Sequence, residues 1–373
     1  MKVLHVIRDI DRVSGGPSRS IQGLVACLNG HGVDAWLMTI RRGGMPWMDG
    51  IVHFLNGEPV KTSIISVKPD VVHIHGLWTW GLHGCARFCR RLDIPYLVSP
   101  RGMLSPWALR EKEAKKRLAM LLYQRNDLKR AAALHATATD EADHFRELGF
   151  NQEIIVAPNG VSLPGNMMPK LRVRNKMRIA LFLSRLHPGK GLLTLAEAWS
   201  RIRPVGWRMR VVGPDLYGHK KDVVSYLIAK GIRGEWEFEN ALDDVEKWDA
   251  YRSADLLVHP SISENFGITI AEALAAELPV ICTKGTPWHD LEVYGCGWWV
   301  NPGVEPLANA LRNAMTLTDD ERLEMGMRGR TLINEKYTWQ ASVGSLVKAY
   351  KRICGASIST LGAQTFVKPN RKE

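Results

Sequence analysis

No run of eighteen apolar residues occurs in this 373-residue chain, so no segment is long enough to cross a membrane as a helix. The six cysteines (Cys27, Cys85, Cys89, Cys282, Cys296 and Cys354) are scattered and form no Cys-x-x-Cys pair. A reduced, cytoplasmic protein accounts for them without a disulfide framework. A secretory leader is not expected either, because Met1-Lys2-Val3-Leu4-His5-Val6-Ile7 is charged too early and reads as a first core strand. The turn after that strand, Ser14-Gly15-Gly16-Pro17-Ser18, is not Gly-x-Gly-x-x-Gly, which argues against a dinucleotide fingerprint.

What is present is ordinary in bulk: 45% hydrophobic and 24% charged residues, as in a soluble globular protein. The length exceeds a usual single core, so two domains are expected. The net charge of +12 is unevenly placed. Residues 87–130 hold twelve Lys/Arg against four Asp/Glu. Within them, 107–125 shows helical periodicity, with Leu118, Leu121 and Leu122 on one side and Lys112, Lys115, Lys116 and Arg117 beside them. A basic amphipathic helix suits an anionic membrane surface or a polyanion. A helix packed by its leucines, with a solvated lysine face, has the same pattern.

Short apolar runs alternate with helical patterns through both halves. Strands are predicted at 3–7, 35–39, 52–55, 71–75, 96–99 and 133–136, and again at 178–183, 208–212, 236–238, 256–259, 280–283 and 298–300. Such alternation predicts an α/β protein with parallel sheets covered on both faces. The seam falls in the Pro-, Gly- and Asn-rich stretch 158–175. The expected division is 1–165, 176–338, a helical tail 339–356 and a flexible end 357–373. Ligands of open α/β sheets bind beyond the carboxyl ends of the strands, so two such domains facing each other would form a cleft.

Three predicted strand ends carry residues suited to phosphate. Gly15 and Gly16 let a backbone approach an anion, with Pro17 well placed to start a helix. Arg185 and Lys190 flank the turn Arg185-Leu186-His187-Pro188-Gly189-Lys190 and could grip a diphosphate. The segment Glu264-Asn265-Phe266-Gly267-Ile268 opens a helix that carries Glu272. A phosphate site beside two carboxylates suits a ligand with both phosphates and hydroxyls, such as a nucleotide sugar. A plain strand–turn–helix with solvated glutamates would look alike. His73 and His75 share one side of their strand, with Arg101 following the next strand. Adding His83, Cys85 and Cys89 to them gives no familiar tetrahedral zinc spacing, so a polar acceptor site or a satisfied histidine pair is the better reading.

Taken together, Pro260-Ser261-x-x-Glu264-x-Phe266-Gly267-x-x-x-x-Glu272-Ala273-x-Ala275, the Arg185/Lys190 pair and the Gly15-Gly16 turn resemble the retaining nucleotide-sugar transferases of glycosyltransferase family 4. The resemblance spans nearly the whole chain. It implies a GT-B fold of two facing Rossmann-like domains and transfer of a sugar to a surface polysaccharide, lipopolysaccharide or lipid-linked saccharide. Carried over, Glu272 meets the ribose hydroxyls and Glu264 the donor sugar. The amides of Asn265, Phe266, Gly267 and Ile268 contact sugar and diphosphate, while Arg185 and Lys190 neutralise the diphosphate. Gly15 and Gly16 approach it from the other domain. No metal and no cofactor beyond the sugar nucleotide is implied, and no nucleic acid partner. Retention is ascribed to front-face attack, in which the leaving phosphate accepts the acceptor's proton.

Two departures stand out. Arg101 sits where many members carry a histidine near the reacting sugar, and an arginine is no base near pH 7. Gly285-Thr286-Pro287-Trp288 replaces a Gly-Gly-x-x-Glu turn and is expected to alter the sugar or acceptor pocket. His73, His75 and Arg101 are the acceptor-side candidates. The resemblance also gives the basic helix a use, as peripheral contact with the inner face of the cell membrane. A nucleotide-sugar epimerase or sucrose-type synthase on the same fold, and a non-enzymatic polyanion-binding protein, are the rival readings. Against the last, no aromatic stacking platform accompanies the charge.

Overall fold

The computed structural model describes residues 1–11, 15–162 and 177–364, with side chains as far as Gly355. It divides into two compact units, Met1–Gly160 with Trp339–Glu373, and Val161–Thr338. The expected seam lies largely outside the described residues.

The first unit is built on seven parallel strands: β1 Lys2–Ile7, β2 Asp34–Thr39, β3 His53–Asn56, β4 Val71–His75, β5 Tyr96–Ser99, β6 Ala133–Ala136 and β7 Glu153–Val156. Their order is β3-β2-β1-β4-β5-β6-β7. Each strand but the edges is buried on both faces, which is why these runs are nearly continuously apolar rather than alternating. One face packs Val3, Ile7, Val71 and Leu97 against Ile21, Leu24 and Val25 of the helix Gly16–Gly30. The other packs Leu4, Val6, Val72 and Ile74 against Leu82, Cys85 and Cys89 of the helix Trp80–Arg91.

The second unit has six parallel strands: β8 Arg178–Leu183, β9 Trp207–Val212, β10 Trp236–Glu239, β11 Leu256–His259, β12 Val280–Thr283 and β13 Gly297–Val300. Their order is β10-β9-β8-β11-β12-β13. In each sheet the strand order reverses direction beside the first strand, at β1/β4 and at β8/β11. Loops there diverge to opposite faces and leave room for a ligand.

Three features differ from the sequence reading. β7 was not expected. Its exposed Glu153 and Val156 mark an edge strand, whose pattern is weak. The helix from Trp339 continues to Gln364, past the point where a flexible end was expected, and 365–373 lie outside the described residues. Nor is it a detached tail. Trp339, Val343, Leu346, Ala349, Tyr350 and Ile353 form a stripe that completes the first unit's core. Finally, the basic segment is not one helix. It runs Pro106–Arg110, Glu113–Ala119, a π turn Met120–Gln124 and Arg125–Lys129. Lys112, at φ 52°, breaks it.

Candidate active site

In the second unit three loops are laced together beyond the ends of β8, β11 and β12. The Ile262 amide donates to the Gly189 carbonyl at 2.9 Å and the Glu264 amide to the Gly285 carbonyl at 2.8 Å. Gly191 has φ +73°, and a Cβ there would meet the Pro260 carbonyl oxygen at 2.1 Å, so only glycine lets the two loops close up. Gly267, with φ 80°, turns the chain into the helix Ile268–Ala275. The first amides of that helix have no intrahelical acceptor and carry the positive end of its dipole.

The turn before it is held from below. Phe266 is buried against Trp288 and Tyr337, and the Trp288 indole donates to the Phe266 carbonyl at 2.5 Å. Trp288, the departure noted in the sequence, is thus a core residue under the turn rather than a pocket wall.

Lys190 and Glu264 come together as an ion pair. His259, the last residue of β11, reaches the same carboxylate oxygen at 2.8 Å. Burial works to raise the Glu264 pKa, but the Lys190 charge and the His259 bond outweigh it and hold the carboxyl well below the usual carboxylate range. Arg185 is exposed on the same loop and pairs with no acid among the described residues. Glu272 lies one turn into its helix, buried, bonded to the Lys247 ammonium at 2.6 Å and the Tyr251 hydroxyl at 2.9 Å. Sequence reasoning missed His259, Lys247 and Tyr251. His259 had a signal, a histidine ending an apolar strand. The other two had none, because their partner is 25 and 21 residues away.

In the first unit Gly15, with φ 87°, precedes the helix Gly16–Gly30, which has Pro17 in its first turn and no acid there. Among the described residues no side chain caps that N-terminus. His73 and His75 are placed differently from expectation. They lie inside the sheet, on the face covered by the helix Trp339–Gln364. The register sets His5 beside His73. The Tyr350 hydroxyl meets His73 Nδ1 at 2.6 Å. As an acceptor contact His73 is therefore corrected: it is sealed in the core by the chain's own C-terminal helix. Arg101 is also buried, its guanidinium 2.7 Å from Asn159 Oδ1 and 3.0 Å from His75 Nδ1. Burial lowers its pKa to about 10, against the pull of Glu141, which leaves it a cation at neutral pH.

The zinc set weighed from the sequence does not assemble. His83 is bound to Asp127 at 2.7 Å, while Cys85 and Cys89 lie on the opposite face of the sheet from His73. A different trio, His5, His73 and His75, has ligand atoms within 4.8 Å of one another. Its tautomers do not suit a cation. Arg101 donates to His75 Nδ1, so His75 carries its proton on Nε2 and gives it to His5 Nδ1 at 3.0 Å. Both His75 nitrogens are thereby used, His5 Nε2 must be protonated, and a guanidinium stands next door.

The basic segment shows its leucines to solvent. Leu118, Leu121 and Leu122 are 57%, 81% and 66% exposed, and Trp80 nearby is exposed too, its ring tilted against Tyr123. Lys112, Lys115 and Arg117 are exposed. Lys116 is half-buried, bonded to the Ala108 carbonyl.

These features meet a known pattern. The family description "Glycosyl transferases group 1" matches residues 165–332, and "Glycosyl transferase 4-like domain" matches 64–160. The chain belongs to the GT-B glycosyltransferases of the family 4 type. Among relatives of this GT-B group, the O-antigen chain mannosyltransferase B of Escherichia coli is 26% identical over 46% of this chain and 45% of its own. The lipopolysaccharide 1,2-N-acetylglucosaminetransferase of Salmonella typhimurium is 25% identical over 47% of this chain and 48% of its own. The chain thus spans about half the length of the first curated relatives it matches. In fold, the sucrose-phosphate synthase of Thermosynechococcus elongatus superposes with a TM-score of 0.79 at 18% identity, covering 95% of this chain and 100% of that one. Anabaena HepE in complex with UDP and glucose gives 0.77 at 17% identity, over 94% and 100%. The GT-B fold is shared with both.

Proposed function

We propose that the protein is a retaining glycosyltransferase that takes a sugar from a nucleoside-diphosphate sugar and passes it to a surface-polysaccharide, lipopolysaccharide or lipid-linked saccharide acceptor. The observation that carries this reading is the second unit's loop cluster: where β8 and β11 part, Lys190 pairs with Glu264, Arg185 lies on the same loop as Lys190, and the helix that opens after Gly267 carries the buried Glu272. Cations and amides suit the diphosphate, and the carboxylates suit hydroxyls on sugar and ribose. In this reading Lys190, Arg185 and the amides of Asn265 to Ile268 take up the charge that grows on the leaving diphosphate. That phosphate accepts the proton of the attacking hydroxyl on the front face, so the anomeric configuration is kept without a side-chain base. Glu264 orients the sugar and Glu272 the ribose. The protein's cations fill the place a metal ion would otherwise take, and no cofactor is required.

The names of two relatives, the O-antigen chain mannosyltransferase and the lipopolysaccharide N-acetylglucosaminetransferase, favour cell-surface glycans as acceptors. Exposed Leu118, Leu121 and Leu122 beside Lys112, Lys115 and Arg117 favour peripheral attachment to an anionic membrane at the cytoplasmic face. The test is a melting panel with UDP, GDP, ADP and their sugars, then NMR of the product's anomeric proton. A shift with one nucleotide family and a retained anomer are expected. No shift with any of them overturns the reading, and an inverted anomer overturns the mechanism.

A further inference from the structure

Lysine is among the residues least often buried, because taking an ammonium out of water is costly unless a partner meets it. Lys247 is nevertheless only 8% exposed. It sits on the helix Asp244–Ser253, one turn before Tyr251, on the face that also buries Ala250. The helix start is fixed by a capping box, in which Asp243 accepts from the Val245 and Glu246 amides at 2.9 Å and Glu246 reaches back to the Asp243 amide at 3.0 Å. From that rigid base Lys247 and Tyr251 reach the two different oxygens of one carboxylate, Glu272, at 2.6 and 2.9 Å.

Resting on the nucleotide reading above, we infer that Lys247 and Tyr251 are positioning residues that set ribose selectivity by fixing the plane of the Glu272 carboxylate. Two bonds on two oxygens remove the rotation a glutamate otherwise has about its last torsion. Held this way, its oxygens present a fixed pair of acceptors, the geometry that adjacent cis hydroxyls of a ribose match.

Binding of UDP, GDP and ADP, each compared with its 2′-deoxy counterpart, tests this by calorimetry on the full chain. The wild type is expected to favour the ribonucleotide about tenfold or more, the range for a hydrogen bond to a charged group. Lys247→Met should bring that ratio close to one and raise KM for the nucleotide sugar with a smaller change in kcat. Lys247→Arg should restore part of the ratio. Tyr251→Phe, which keeps the ring packing, should lower it about threefold, and it decides alone if Lys247→Met does not fold. Folded variants that keep the wild-type ratio overturn the assignment while leaving the nucleotide reading intact. A wild type that binds no nucleoside diphosphate removes that reading, and the assignment with it.

Discussion

Two polar clusters, one in each unit, meet burial in different ways. In the second, Glu264 and the buried Glu272 each meet an ammonium, Lys190 and Lys247 respectively, and His259 also bonds Glu264. In the first, a layer of four histidines, His5, His73, His75 and His135, lies inside the sheet around one buried cation, Arg101. Burial first, and then the Arg101 charge, lowers the pKa of His5 and of His135 to about 3; burial first, and then the neighbouring histidines with Arg101, lowers those of His73 and His75 well below the ordinary value. The layer is therefore neutral at physiological pH. A charged pair withstands desolvation only with its partner in contact, whereas imidazole can give up its proton and stay buried. The first unit keeps its spare positive charge outside, on the 107–125 segment.

Acid separates the units most strongly. A histidine whose folded pKa is lowered binds fewer protons than in the unfolded chain. Its contribution is whole above pH 6.5 and declines as the pH falls toward the folded value. For His5 and His135 that amounts to about 2 kcal/mol each at pH 5. Hydrogen exchange at pH 7.5 and pH 5 should show β1, β4 and β6 losing protection while β8 and β11 keep theirs, since the lowered Glu264 pKa preserves its pair at both values. Equal loss in both units would erase the contrast.

Lys190→Ala should cost about 10²- to 10³-fold in kcat/KM for sugar transfer, the effect of removing one preorganised charge donor, with the melting temperature of the first unit unchanged. Tyr350→Phe should do the reverse. It strands a buried His73 nitrogen, lowers stability by about 1–3 kcal/mol in urea unfolding, and leaves nucleotide binding as it was. Smallest is Lys115→Ser, which should weaken sedimentation with anionic vesicles by about 1 kcal/mol, roughly fivefold. Neutral vesicles should show no change.

Much of the architecture was legible. Apolar runs such as Val71–His75 and Leu256–His259 are strands because a parallel sheet buries both faces, and that pattern is local. The Glu264/Glu272 spacing and the Arg185/Lys190 turn are local too. What escaped were contacts between distant positions. His73 reads as a surface acceptor contact until Tyr350, 277 residues on, closes over it. The leucines of 107–125 read equally as core or as outer face until Lys112 breaks the helix and leaves them in solvent.

Hydrophobic period, turn chemistry and the order of motifs lie within a few residues of chain, so strands, glycine turns and the placing of two glutamates beside the first amides of a helix followed from the amino-acid order. Which cation each glutamate meets, that the last helix returns to the first unit, and that four histidines stay neutral depend on packing between elements. Burial sets those protonation states, and burial exists only once the sheets have formed.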